Sequence, residues 1–347
     1  MEQALGRWFA EQHWLVLVFV IVVSLAALGR AADWLVDEAV ALSERSGIPK
    51  SVIGATVVSL GTTTPEAAVS VMAAIRGSPA LALGNAVGSI ICDTGLILGL
   101  ACLIAPLPLD RGIVNRQGYI QLGAALALTA VCFPWSNPDV VWSEGGRLPQ
   151  FAGVLFLGAL AAYLWRSVAW SRAADVDSAV AAHEKDVTAP LALIALKLAA
   201  AVAIVVLSAE ILIPAVAESA RRLSIPESII AATLVAFGTS LPELITAVTA
   251  ARRGHGELAV GNVIGADILN VLFVAGAAAA VTSGGLEANP HFFAVLFPMM
   301  IAVLLVFRLG VIFSGHSLRR PVGVVLLGAY SVYLVISLVL PGRAGGH

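Results

Sequence analysis

The sequence predicts an all-α polytopic membrane protein of ten transmembrane helices, built as two inverted-topology repeats of five. Three observations lead there. Of 347 residues, 59% are hydrophobic and only 12% charged, with a mean hydropathy of +0.94, where soluble domains carry about 25% charged residues. Apolar runs long enough to cross a bilayer, about 20 residues each, recur along the whole chain. Finally, a 52-residue stretch returns 177 positions later. Too little polar surface exists to cover a soluble core of this composition. A cytosolic enzyme, a nucleic-acid binder and a secreted disulfide scaffold are therefore excluded. The net charge of −2 supplies no field for phosphate backbones. The three cysteines, Cys92, Cys102 and Cys132, sit in apolar runs at spacings that fit neither zinc nor paired bridges.

Apolar runs between polar or Gly/Pro punctuation place the helices in order. The first, 14–39, is too long for a cleaved leader. Next come 48–75 and 79–105, which carry the repeated motif, then 118–135 and 149–170. Residues 1–170 thus form the first repeat, with its signature over 48–99. The stretch SRAADVDSAVAAHEKDV begins a polar linker over 171–189. Residues 190–347 form the second repeat, with helices at 190–217, 225–251, 257–283, 291–308 and 320–341 and its signature over 225–276.

The duplication is direct. IPKSVIGATVVSLGTTTPE (Ile48–Glu66) lies over IPESIIAATLVAFGTSLPE (Ile225–Glu243), and AAIRGSPALALGNAVG (Ala73–Gly88) over AARRGHGELAVGNVIG (Ala250–Gly265). Without a gap, 23 of the 52 positions from Ile48 to Gly99 are identical. Five spans is an odd number, so the second copy enters the bilayer from the opposite side, an arrangement characteristic of secondary transporters. With the amino terminus outside, 14 of the 20 Lys and Arg residues fall on the cytoplasmic side and 6 on the outer side. The positive-inside rule then places both termini outside an inner (cell) membrane and the linker in the cytoplasm.

Charge inside the bilayer is costly unless it lines a polar cavity or binds something. Glu66 and Glu243 occupy matching points of the two repeats; Asp93 matches Asn270, and Asp267 matches only Ile90. No Lys, Arg or His lies in the middle of these four helices, so a mobile cation is the missing partner. Thr62 and Thr63 precede Glu66 by four and three residues, as Thr239 and Ser240 precede Glu243, which predicts that each set shares one helical face. Pro65 and Pro242 free a carbonyl about one turn earlier, near Gly61 and Gly238. Asn85, Ser89 and Asp93 form a polar stripe, repeated as Asn262, Ala266 and Asn270. Taken singly, such groups have ordinary structural uses: intramembrane Thr and Ser bond back to their own helix, and Asn glues helices together. Their recurrence in both copies argues for a site. All these groups offer oxygen. Hard cations such as Ca²⁺ take about six to eight such ligands, whereas zinc, copper and iron want Cys or His.

At these residues the chain resembles the sodium/calcium exchanger family of the cation/calcium exchanger superfamily, prokaryotic type. GTTTPE (Gly61–Glu66) with GNAVGSIICD (Gly84–Asp93) resembles the family's first signature, and GTSLPE (Gly238–Glu243) with GNVIGADILN (Gly261–Asn270) the second. The resemblance implies a diamond of ligands, Glu66, Asp93, Glu243 and Asn270, with the two glutamates shared by Ca²⁺ and Na⁺. It further implies completion by Thr62, Thr63, Thr239, Ser240 and Ser89 and by the backbone oxygens of Ser59 and Ala236. Family members often carry Asn in the first repeat and Asp in the second, so Asp93 and Asn270 mirror that placement. Ala266 stands where a serine is typical, and Asp267 where Asn is.

The expected activity is Na⁺/Ca²⁺ antiport by alternating access, with the helices near 14–39 and 190–217 moving and Ca²⁺ exported electrogenically. No cofactor, enzyme activity or protein partner is implied; the partners are Ca²⁺, Na⁺ and the lipid bilayer. Alternatives are Ca²⁺/H⁺ exchange, K⁺-dependent Na⁺/Ca²⁺ exchange and, less well matched, a cation channel.

Overall fold

The computed structural model describes residues 2–178, 189–223 and 238–339. A short helix, α1 (Glu2–Glu11), precedes α2 (Trp14–Ser46). The sequence reading did not foresee α1. Its last carbonyls are met by a cation from far along the chain: the Arg222 guanidinium donates to Phe9, Ala10 and Gln12 oxygens at 2.9–3.0 Å. A positive group suits a helix C-terminus. Helix α2 runs seven residues past its expected end at 39 and stops where Gly47 turns left-handed at φ 71°.

The run expected as the second span is interrupted. It comprises α3 (Lys50–Ile53), a π turn (Gly54–Val58), α4 (Ser59–Thr62) and α5 (Thr64–Ile75). The third is α6 (Pro79–Ile91), a π segment (Cys92–Ile97) and α7 (Leu98–Ile104). Helix α8 (Arg111–Cys132) begins earlier than expected because Asp110 caps it, accepting from the Ile113 amide at 3.2 Å. Helix α9 (Gln150–Ser178) extends into what the sequence reading took as linker.

The second half comprises α10 (Leu191–Arg222), α11 (Leu241–Arg252), α12 (Gly256–Leu269), a π segment (Asn270–Ala275) and α13 (Gly276–Val281). It ends with α14 (Phe297–Phe313), preceded by a π turn (Phe292–Leu296), and α15 (Arg320–Val339). The described chain is mostly helical. Six of its helical stretches are long and apolar enough to cross a membrane: Trp14–Ser46, Pro79–Ile104, Leu191–Arg222, Gly256–Val281, Phe292–Phe313 and Arg320–Ser337.

The most deeply buried stretches are Pro79–Ile104 and Gly256–Val281, while α2 and α10 pack along each other at the periphery. Two small antiparallel ladders tie the halves, Gly146–Leu148 with Leu286–Ala288 and Leu107–Pro108 with Ser317–Leu318. The deepest joint lies where α12 meets the run from α3 through the π turn. A Cβ on Gly261 would stand 2.1 Å from the Ser51 carbonyl oxygen, and one on Gly265 2.5 Å from the Ala55 oxygen. Reciprocally, a Cβ on Gly54 would stand 2.6 Å from the Leu258 oxygen. Small residues at these points let the two backbones touch. All three cysteines are free and buried.

Candidate functional site

Glu66 and Glu243 each sit in the first turn of a restarted helix. The break falls at Thr63 (φ −83°, ψ −2°) in the first half and at Ser240 (φ −86°, ψ 10°) in the second. Pro65 and Pro242 occupy the opening positions of α5 and α11, where a missing N–H costs nothing. Both carboxylates therefore lie at helix N-termini, whose unpaired amides favour negative charge.

The hydroxyls ahead of Glu66 donate elsewhere than to its carboxylate. The Thr62 hydroxyl turns back to the carbonyls of Val58 (3.2 Å) and Ser59 (3.4 Å). The Thr63 hydroxyl instead crosses to the other half and donates to Glu243 Oε1 at 3.0 Å. The Ser59 carbonyl, expected as a ligand, already accepts from the Thr63 amide at 2.8 Å. The Ser59 hydroxyl is also engaged, donating to the Thr56 carbonyl at 3.4 Å.

Asp93 and Asn270 both lie in π-helical turns, Cys92–Ile97 and Asn270–Ala275. Wide turns of this kind recur at functional sites, since the extra residue re-aims side chains. The Asn270 amide donates to Asp93 Oδ2 at 3.3 Å. Asn85 bridges the halves: its amide donates to Ser70 Oγ (2.9 Å) and to the Glu66 carbonyl (3.4 Å), and its Oδ1 accepts from Thr239 (3.4 Å). Ser89 and Asn262 are buried in the same region. Ala236 lies outside the described residues.

Glu66, Asp93, Glu243 and Asn270 are each at most 1% exposed. Yet among the described residues both carboxylate oxygens of Glu66, Asp93 Oδ1, Glu243 Oε2, Asn270 Oδ1 and Ser240 Oγ have no hydrogen-bond partner, nor has either polar atom of Asn262. The negative charges of Glu243 and Asp93 both bear on Glu66, and that of Glu243 on Asp93. Among the described residues no three His, Cys, Asp or Glu side chains converge tightly enough to hold one metal ion between them. The buried cation Arg308 is no counter-ion: it bonds the Val114 carbonyl (3.4 Å) and Asn115 Oδ1 (3.3 Å) and stacks 4.3 Å from the Tyr119 ring.

Two features escaped the sequence reading. Asp267, left without a counterpart, accepts on one oxygen from both Thr94 and Gln121, all three buried. Gln121 lies on α8, one turn from the equally buried Gln117; that i, i+4 glutamine pair in an apolar helix was the available signal. The second is Glu210 on α10. It lines a cavity of about 250 Å³ with Pro65, Ser70, Asn85 and Thr239, and its charge reaches Glu66. Sliding by 177 residues sets Glu210 over Asp33, a match the sequence contained.

The sequence profile described as "Sodium/calcium exchanger protein" matches residues 16–169 and 193–339. The sodium/calcium exchanger MaX1 of Methanosarcina acetivorans is 29% identical, over 91% of this chain and 97% of that protein. The inner membrane protein YrbG of Escherichia coli is 32% identical, over 91% of this chain and 95% of that protein. Among solved structures, the sodium-calcium exchanger NCX_Mj soaked without Na⁺ and Ca²⁺ superposes with a TM-score of 0.78 at 26% identity, covering 94% of this chain and all of that one. Matched along nearly its whole length in sequence and in fold, this chain belongs to the sodium/calcium exchanger family, a family of membrane transporters rather than enzymes.

Proposed function

We propose that the chain exports Ca²⁺ against inward Na⁺ by alternating access, with more positive charge entering than leaving. The observation that carries this is the set of buried oxygens without a partner among the described residues, contributed by both halves: Glu66 and Asp93 from the first with Ser240, Glu243 and Asn270 from the second. A buried carboxylate without a partner costs several kcal/mol. Among the described residues no Lys, Arg or His shares a hydrogen bond or ion pair with these acids. A hard cation is the partner this chemistry asks for. Three acids carry about −3, which a single Ca²⁺ leaves uncompensated and several Na⁺ neutralise. Bare carboxylates resist crossing a dry gate, whereas loaded ones do not, so movement is coupled to occupancy.

In this reading the ligands are Glu66, Asp93, Glu243 and Asn270, with Thr62, Thr63, Thr239, Ser240, Ser89, Asn85 and Asn262 and the backbone oxygens of Ser59 and Ala236 around them. Ten spans form two inverted repeats, 1–170 and 190–347, joined through 171–189, with both termini outside an inner membrane. Support comes from the matched helix breaks at Thr63 and Ser240 and the matched π turns at Asp93 and Asn270.

The test is ⁴⁵Ca²⁺ flux into proteoliposomes under Na⁺, K⁺ and H⁺ gradients imposed separately. The Na⁺ gradient should drive uptake, and Glu66→Gln and Glu243→Gln should each abolish it. Flux that follows only a pH gradient, or equal flux in either variant, overturns the reading.

A further inference from the structure

Asp267 stands apart from the acids of the central site. It lies on α12, which packs against both α8 and the π segment Cys92–Ile97. The side chain is 2% exposed, and its Oδ2 accepts from the Thr94 hydroxyl and from the Gln121 amide. Both donors are neutral. The other oxygen, Oδ1, has no hydrogen-bond partner among the described residues. The carbonyl oxygen of the same Gln121 amide is also buried and without a donor, as is that of Gln117 one turn earlier. Acceptors are in surplus here, and the partner they lack is positive. A buried carboxylate held only by neutral groups costs several kcal/mol. The buried Arg308 guanidinium does not relieve it, since its bonds go to Val114 and Asn115.

The cluster belongs to one half of the repeat only. Across the 177-residue shift Asp267 falls over Ile90 and Thr94 over Val271, both apolar. Packing common to the two copies therefore does not call for these polar groups. Among the described residues no hydrogen bond joins Asp267, Thr94 or Gln121 to Glu66, Asp93, Glu243 or Asn270. The link to the central site runs through charge: the Asp267 carboxylate repels that of Asp93, the residue before Thr94.

We propose that Asp267, Gln121 and Thr94 form a separate site for one monovalent cation, Na⁺ or K⁺, outside the ligands named for Ca²⁺ exchange. A single carboxylate carries one charge, which one monovalent ion neutralises. Ca²⁺ takes about six to eight oxygens and would leave positive charge in excess. The ion is held by Asp267 Oδ1 and the Gln121 carbonyl oxygen, and the Thr94 hydroxyl, having given its proton to Oδ2, still offers lone pairs. Once seated, the ion screens Asp93 from Asp267, so its occupancy favours cation binding at Asp93. The binding claim stands without the exchange reading; its effect on transport rests on that reading.

Binding is read from thermal midpoints of the purified full chain with Ca²⁺ chelated. NaCl or KCl is titrated against N-methyl-D-glucamine chloride at constant ionic strength. A ligand of the folded state raises the midpoint as its concentration grows. In the double variant E66Q/E243Q, which removes the central glutamates, one of the two salts should still raise the midpoint, and the separate titrations name the ion. Adding Asp267→Asn should increase the half-saturating concentration about tenfold, the loss expected when a charged ligand becomes neutral. Should that protein fail to fold, Gln121→Leu, which keeps the charge and removes an oxygen ligand, gives the same comparison. A midpoint indifferent to both salts in E66Q/E243Q, or a response unchanged by the added substitution, overturns the proposal. A midpoint that follows pH alone makes Asp267 a protonated acid and also overturns it. Failure of the exchange reading would show separately, as absent Na⁺-driven Ca²⁺ uptake by the unsubstituted protein.

Discussion

The Thr63 hydroxyl of the first half donates to the Glu243 carboxylate of the second at 3.0 Å, in a fully buried contact. The glutamate that the second half supplies is therefore not held by its own half alone. Removing the hydroxyl leaves Glu243 Oε1 without this donor, and a hydrogen bond to a charged group contributes about 1.5–3 kcal/mol. Thr63→Val should weaken the apparent affinity for the transported ions about tenfold, while Thr63→Ser should retain it. The Na⁺ and Ca²⁺ dependence of uptake distinguishes the two.

Backbone contact between α12 and the first half sets the spacing of the site. Gly261 stands so near Ser51 that a methyl group would fall 2.1 Å from its carbonyl oxygen. Overpacking costs about 1–3 kcal/mol, and more where the obstacle is backbone. Gly261→Ala should lower the thermal midpoint in detergent and reduce folded yield, whereas Gly123→Ala, with open space around it, should do neither. Fluorescence-detected size exclusion after heating gives the comparison.

The turn between α11 and α12 responds to acid. Burial, and then the neighbouring Lys50 charge, hold the His255 imidazole below its ordinary value of 6.5, with Glu257 and Asp37 opposing and Arg253 adding to the effect. The folded state thus binds fewer protons than the unfolded chain between the lowered value and 6.5. The contribution is full above about pH 6.5 and falls as pH drops through that window. Thermal midpoints measured from pH 8 to 5 should decline more steeply for the unsubstituted protein than for His255→Gln.

Some of this was readable along the chain. The number of membrane acids, their recurrence at 177 residues and the oxygen-only chemistry around them are properties of residue type and spacing, and a bilayer makes each intramembrane charge conspicuous. Glu210 lies outside the repeated signatures 48–99 and 225–276, and only the cavity it lines with Pro65 and Asn85 sets it apart. Helix ends moved where polar residues continued a helix, as in α2, or where a cap began one early, as Asp110 does for α8.

What the chain determined alone was the class of the protein and its inventory of charged and oxygen-bearing groups, because hydropathy and helical periodicity act over one span at a time. Which hydroxyl meets which acid was decided only in three dimensions. The Thr63 hydroxyl meets Glu243 of the other half, and the glycine-to-backbone approach of Gly54, Gly261 and Gly265 joins α12 to the first half. The unequal packing of the two related halves is likewise a property of the whole assembly, since contacts between helices far apart in the chain decide it.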